Sequence, residues 1–169
     1  LVTGEDRGVA PVLVLAVGNV LLGDDGCGQR MLVELERMRR RRADLVELID
    51  GGTQGLALLG LLAGRHGLLV LDAVRLGATP GTIHRLRGDE VFAALAAPGL
   101  TAHEGNAGEL LRAAALLDEL PTQVVVVGIE PGRVATGSEL SAAVDAAVPA
   151  AARCAADELD VLAAAPGET

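Results

Sequence analysis

Three runs of aliphatic residues constrain this chain more than any other feature: Val12–Val17, Leu68–Leu71 and Val124–Ile129, the last apolar apart from Gly128. Each is too short for an ordinary helix. A strand with one wet face alternates apolar and polar residues, whereas a strand covered on both faces reads as a continuous apolar run. Covered strands of this kind belong to parallel sheets, and the sequence between them supplies the covering helices. Gly26 to about Arg42 places Met31, Leu32, Leu35 and Met38 at helical spacing. Gly108–Leu120 reads as a helix stopped by Pro121, with Leu56–Leu62 and Asp89–Leu95 as shorter ones. Leu45–Ile49 reads as a further strand, closed by Asp50-Gly51-Gly52. Thr82–Leu86, after Pro80-Gly81, alternates imperfectly with polar residues, as an edge strand does. Ser138 is the expected N-cap of a final Ala-rich helix that Pro149 should bend. The order β-α-β-α-β-β-α-β-α predicts a three-layer α/β/α domain with a five-stranded, mostly parallel sheet and one antiparallel edge strand.

At 169 residues and 17.1 kDa the chain makes one domain, 1–169, with its core over about 12–160. The net charge of −9 opposes binding to phosphate backbones. Phe92 is the only aromatic residue, so stacking on bases is also excluded and no nucleic-acid partner is expected. All 14 basic residues are Arg, which removes Schiff-base and phosphate-loop lysine chemistry. Cys27 and Cys154 are too few for a disulfide scaffold and read as free thiols in a reducing cytoplasm. The first residues lack a basic stretch followed by an apolar one, and no apolar run approaches the ~20 residues needed to cross a bilayer. A cytoplasmic protein without a membrane partner, and a monomer, is the expectation.

In an open parallel sheet, sites lie beyond the carboxyl ends of the strands. Gly18-Asn19 and Gly23-Asp24-Asp25-Gly26-Cys27-Gly28 follow the first strand, Asp50 ends the second, and Asp72 ends the third. Thr101-Ala102-His103-Glu104 precedes a later helix. The glycine order is not that of a dinucleotide fingerprint, and two aspartates there would repel a pyrophosphate. They suit a cation. One of Asp24 and Asp25 is expected to cap the following helix. Asp50 is balanced between shaping a turn and serving a site. Asp72 directly follows pure aliphatics, where an unpaired carboxylate is costly, and its functional reading is favoured. His103 gains weight from this company, while His66 and His84 read as structural. Cys27 reads as a small residue at a helix start rather than a nucleophile. Carboxylates with an imidazole, and no thiolates, suit a divalent ion such as nickel, zinc or manganese.

Val17-Gly18-Asn19-Val20-Leu21-Leu22-Gly23-Asp24-Asp25-Gly26-Cys27-Gly28 resembles the opening motif of the hydrogenase maturation endopeptidases. Asp50-Gly51-Gly52-Thr53, Leu71-Asp72-Ala73 with Pro80-Gly81-Thr82, His103-Glu104, and Val126-Val127-Gly128-Ile129-Glu130-Pro131 resemble that family's later blocks, in order. The resemblance implies a twisted five-stranded sheet. It implies a peptidase that removes a C-terminal extension from the precursor of a nickel–iron hydrogenase large subunit after nickel insertion. It implies Asp25, Asp72 and His103 as the catalytic, metal-binding set, taking nickel supplied by the substrate, though another divalent ion could occupy the site. Two chemistries stay open: attack by metal-polarised water, or general-base help from a carboxylate such as Asp24 or Asp50. Two other functions also stay open, a non-cleaving nickel or partner sensor and a self-sufficient metallohydrolase of small amides. The stretch Glu104-Gly105-Asn106-Ala107-Gly108 is smaller and more polar than the family's usual sequence, a departure that bears on substrate preference.

Overall fold

Val, Leu and Ile at successive positions leave the three apolar runs no polar face to turn toward water, and the fold covers them on both sides. The computed structural model describes residues 9–38, 45–96 and 107–164. Strands β1 (Val12–Val17), β2 (Val46–Gly52), β3 (Gly67–Ala73), β4 (Ile83–Arg87) and β5 (Gln123–Ile129) form one sheet in the order β2-β1-β3-β5-β4. All neighbours are parallel except β4, which runs antiparallel to β5 at the edge. The helices are α1 (Cys27–Met38), α2 (Asp89–Ala96), α3 (Ala107–Leu116) and α4 (Ala142–Leu162).

Alternate residues of each buried strand feed opposite faces. Val14, Ala16, Leu69, Leu71, Val125 and Val127 pack with Met31 and Leu35 of α1 and with Val144, Val148 and Ala155 of α4. Leu13, Leu15, Leu68, Val70, Val124 and Val126 pack on the other face with Leu58, Val91, Leu110, Leu111 and Ala114. Each fully buried aliphatic side chain contributes about 1.5–3 kcal/mol. The expected three-layer architecture with its antiparallel edge is therefore the one observed.

Three boundaries differ from expectation. Residues Gly55–Leu61 form a 3-10 helix rather than an α-helix, a tighter winding suited to so short a connection. The helix expected over Gly108–Leu120 begins at Ala107 and ends at Leu116. Asp118 adopts a left-handed φ of 57°, and the Glu119 amide turns back onto the Ala114 carbonyl. Aspartate tolerates that conformation, and a left-handed residue ends a helix. The last helix begins at Ala142, with Ser141 rather than Ser138 at its N-cap position, and Pro149 lies inside it. Arg39 to Arg42, in the expected extension of the first helix, lie outside the described residues.

After β1 the chain pairs β2 on one side and then crosses to place β3 on the other. The carboxyl ends of β1 and β3 are thus where the winding reverses, the position at which open α/β sheets bind ligands. The start of α1 is driven deep into that point. A Cβ at Gly28 would sit 2.5 Å from the carbonyl oxygens of both Val17 and Leu71.

Candidate active site

Asp24 and Asp25 are neighbours in a single 3-10 turn, Asp24–Gly26, yet the structure gives them opposite surroundings. Asp24 is fully buried. One carboxylate oxygen accepts from the amides of Gly132 (2.8 Å) and Arg133 (2.7 Å) and from the Ser141 hydroxyl (2.8 Å). The other accepts from the Ser141 amide at 2.6 Å. Burial opposes its charge, but these four donors together outweigh it and hold the carboxyl below the usual aspartate range. Asp24 is a fastening between loops, neither a helix cap nor a free general base.

Asp25 is half-buried, and its Oδ2 accepts from the Asn19 amide at 2.8 Å, closing the loop on itself. The expectation that one of the two aspartates caps α1 is therefore replaced by two other uses of these carboxylates. Gly18 permits the closure. Its φ is +126°, and a Cβ there would lie 2.0 Å from the Asp25 carbonyl oxygen.

Asp72, the penultimate residue of β3, is 7% exposed. Its Oδ1 accepts from the Ala73 amide at 2.7 Å, and its carboxylate also takes the amide of Ala107, the first residue of α3. Burial pushes its pKa up to about 8; Asp25 adds to the rise, and the two amides oppose it. A carboxylate held out of water, with a second one near enough to disfavour its charge further, is an arrangement that a divalent cation would relieve. Hard oxygen donors by themselves suit magnesium, calcium or manganese, and an added imidazole would extend the set to nickel or zinc. Among the described residues no group of three metal-ligating side chains forms. His103 and Glu104 lie outside those residues, so the third expected ligand is not placed.

The remaining candidates separate clearly. Asp50 is exposed and shapes its turn by accepting the Gly52 amide at 3.0 Å, and it also takes the Gln29 side-chain amide at 3.3 Å. Gln29 donates as well to the Gly18 carbonyl at 3.0 Å, tying the ends of β1 and β2 together. Nothing in the helical spacing of α1 marks Gln29 for this. His66 meets the Gln123 side chain at the amino end of the sheet, remote from the site, and His84 pairs with Glu130. Both are structural, as expected. Cys27, the first residue of α1, is fully buried in the core; burial, and then the charges of Asp72, Asp25 and Asp24, push its thiol far up, away from the thiolate a nucleophile needs.

The depressed Asp24 has a consequence for acid stability. Its carboxylate binds a proton more weakly folded than unfolded, so its contribution is complete above about pH 4 and is lost as pH falls through the folded value. Asp24→Asn should cost about 2–3 kcal/mol at pH 7, because four donors lose an ionised, fully buried acceptor. It should also flatten the acid limb below pH 4. Urea midpoints measured from pH 7 down to pH 3 check both.

Fold and site together define a doubly wound α/β domain with a pair of carboxylates, Asp25 and Asp72, at its switch point. The chain belongs to the hydrogenase maturation protease family, whose model matches residues 30–158. It is 38% identical over 120 residues to a hydrogenase expression/formation protein of Rhodobacter capsulatus, covering 71% of this chain and 57% of that one. It is 40% identical over 121 residues to the hydrogenase 2 maturation protease of Escherichia coli, covering 71% and 73%. The chain spans 54–62% of the length of the first three curated relatives. Among solved structures it resembles the hydrogenase maturating endopeptidase of Escherichia coli, with a TM-score of 0.75, 32% identity and coverage of 89% and 92%. It also resembles a NiFe hydrogenase maturation protease from Thermococcus kodakarensis, with a TM-score of 0.68, 26% identity and coverage of 88% and 97%. No helix among the described residues is long and apolar enough to cross a membrane.

Proposed function

We propose that this protein is a cytoplasmic endopeptidase that removes the C-terminal extension of a nickel–iron hydrogenase large-subunit precursor after nickel insertion. Asp25, Asp72 and His103 bind the nickel that the precursor already carries, so cleavage awaits correct metal loading. The observation that carries this reading is the pairing of Asp25 with the buried, charge-disfavoured Asp72 at the switch point. Family membership supports the peptidase activity and the kind of client. The covalent chain supports the part given to His103: it precedes Ala107 by four residues, which span at most about 14 Å, and the Ala107 amide rests on Asp72.

Asp25 and Asp72 would hold the substrate's nickel, whose positive charge would offset theirs and which would polarise the scissile carbonyl or a water. Asp72 stays fixed by two amides, and Asp25 is held by Asn19, so neither carboxylate must reorganise when the metal arrives.

The test uses nickel-loaded and nickel-free precursor and follows large-subunit mass. Cleavage should need nickel, and His103→Ala should abolish it in a protein with unchanged circular dichroism. Cys27→Ala should retain most activity and cost about 1 kcal/mol of stability, because the thiol is packed in the core and un-ionised. Metal-dependent binding without mass loss would instead identify a sensor. Loss of cleavage in a folded Cys27→Ala variant would make the protein a thiol peptidase.

A further inference from the structure

Glu130 is buried immediately beyond β5, and its bonds run into the loop between β3 and β4 and onto His84 at the start of β4. Its side-chain oxygens accept from the amides of Leu76 (2.8 Å) and Gly77 (3.2 Å), from the Ala78 amide, and face Nε2 of His84 at 2.9 Å. Its own amide donates to the Thr82 carbonyl at 2.8 Å, and its carbonyl accepts from Gly81 at 2.9 Å. One residue earlier, the Ile129 carbonyl accepts from Val74. The loop so gripped is the one that leaves Asp72, and its residues 75–80 are exposed. With water on that side, the hold on it comes from beneath, through Glu130.

The grip extends to the other candidate ligand. β3 and β5 are in register with Asp72 opposite Gly128 and Ala73 opposite Ile129, so Glu130 continues the strand that flanks Asp72. The next residues, Gly132 and Arg133, donate their amides to Asp24, beside Asp25. Gly132 also lies against Pro80, where a Cβ would sit 3.1 Å from the proline ring. Residues 130–133 thus hold the Asp25 loop through Asp24 and the Asp72 loop through Glu130. Burying a carboxylate is a poor route to stability alone, since apolar replacements of buried ionic groups are often neutral or better. Its gain is a fixed geometry.

We propose that Glu130 is a positioning residue for Asp72: by gathering three successive loop amides and His84, it sets where Asp72 stands relative to Asp25 when a metal-bearing substrate enters. This rests on the function proposed above. The test compares Glu130→Gln with Glu158→Gln. Glu158 is equally buried, but it lies on α4 and pairs with Arg85 and Arg87 on the edge strand, so it controls for losing a buried carboxylate. Both variants should fold by circular dichroism and melt a few degrees lower than the parent. In titration calorimetry with Ni2+ alone, Glu130→Gln should bind about 10-fold more weakly than Glu158→Gln. With nickel-loaded precursor, KM should rise for Glu130→Gln and not for Glu158→Gln, and Glu130→Asp should recover part of the loss. Equal Ni2+ affinity and equal KM in the two variants, with an active parent protein, would overturn the positioning role alone. A parent protein that neither binds Ni2+ nor cleaves the precursor would overturn the proposed function, and this inference with it.

Discussion

Asp72→Asn is expected to abolish precursor cleavage while making the metal-free protein more stable at neutral pH. The amide keeps the shape of the carboxylate, and its oxygen still accepts from Ala73, so the end of β3 should not move. What disappears is the negative charge that draws a divalent cation, and with it at least a hundredfold in cleavage, on the order of losing a direct metal ligand. Stability moves the other way because burial raises the folded pKa to about 8. An acid whose folded pKa lies above its unfolded value of about 3.9 destabilises the fold increasingly as pH rises from the lower value to the upper. The parent protein without metal should therefore lose stability between about pH 4 and pH 8, and Asp72→Asn should lose less. A gain of about 1 kcal/mol or more at pH 7 is the expected size. Urea titrations across that range, paired with the precursor assay, check the two effects in one variant. A less stable Asp72→Asn that still cleaves would contradict both the placement of the residue and its role.

Gly28→Ala is expected to cause a large loss of stability for a single added methyl. Its Cβ would lie 2.5 Å from two backbone oxygens, those of Val17 and Leu71, one on each of the two central strands. Side chains can rotate away from an intruder, but these carbonyls are bound into the sheet. The helix must lift instead, pulling Cys27 and Met31 out of a core in which both are fully buried. Overpacking usually costs 1–3 kcal/mol, and a clash whose nearest atoms are all backbone puts this case at about 3 kcal/mol or more. Because the turn carrying Asp24 and Asp25 ends where α1 begins, cleavage should fall even in molecules that remain folded. Thermal melts of Gly28→Ala beside a silent glycine variant check this. Gly60→Ala serves, since a Cβ at Gly60 meets nothing within 4 Å. A melting point for Gly28→Ala within 2 °C of that control would show that α1 does not sit as close to the sheet as described.

Much of the fold was legible because its signals are local. Continuous apolar runs can be satisfied only by strands covered twice, and the alternation at Thr82–Leu86 correctly marked the edge strand β4. The boundaries that slipped depend on single backbone conformations. The left-handed Asp118 that ends α3 early leaves no trace in hydrophobic spacing, and the N-cap position moved from Ser138 to Ser141 because Ser138 is followed by residues that run on toward Asp24 rather than into a helix. Glu130 was within reach. Like Asp72 it directly follows buried aliphatics, where an unpaired carboxylate is costly, and the same argument that singled out Asp72 applies to it.

Sequence by itself determined the layer order, the parallel sheet and the clustering of carboxylates at the carboxyl ends of β1, β2 and β3, since each of these follows from short-range pattern and chain direction. Tertiary structure decided which carboxylate is spent on hydrogen bonds and which is left beside Asp72. Asp24 and Asp25 are adjacent, identical in chemistry and wound into the same turn, so nothing local separates them. Donors more than a hundred residues away, Gly132, Arg133 and Ser141, take Asp24 into the wall of the loop, and Asp25 is left beside Asp72. A buried charge goes where its hydrogen bonds are, and those partners are brought together only when the whole sheet has formed.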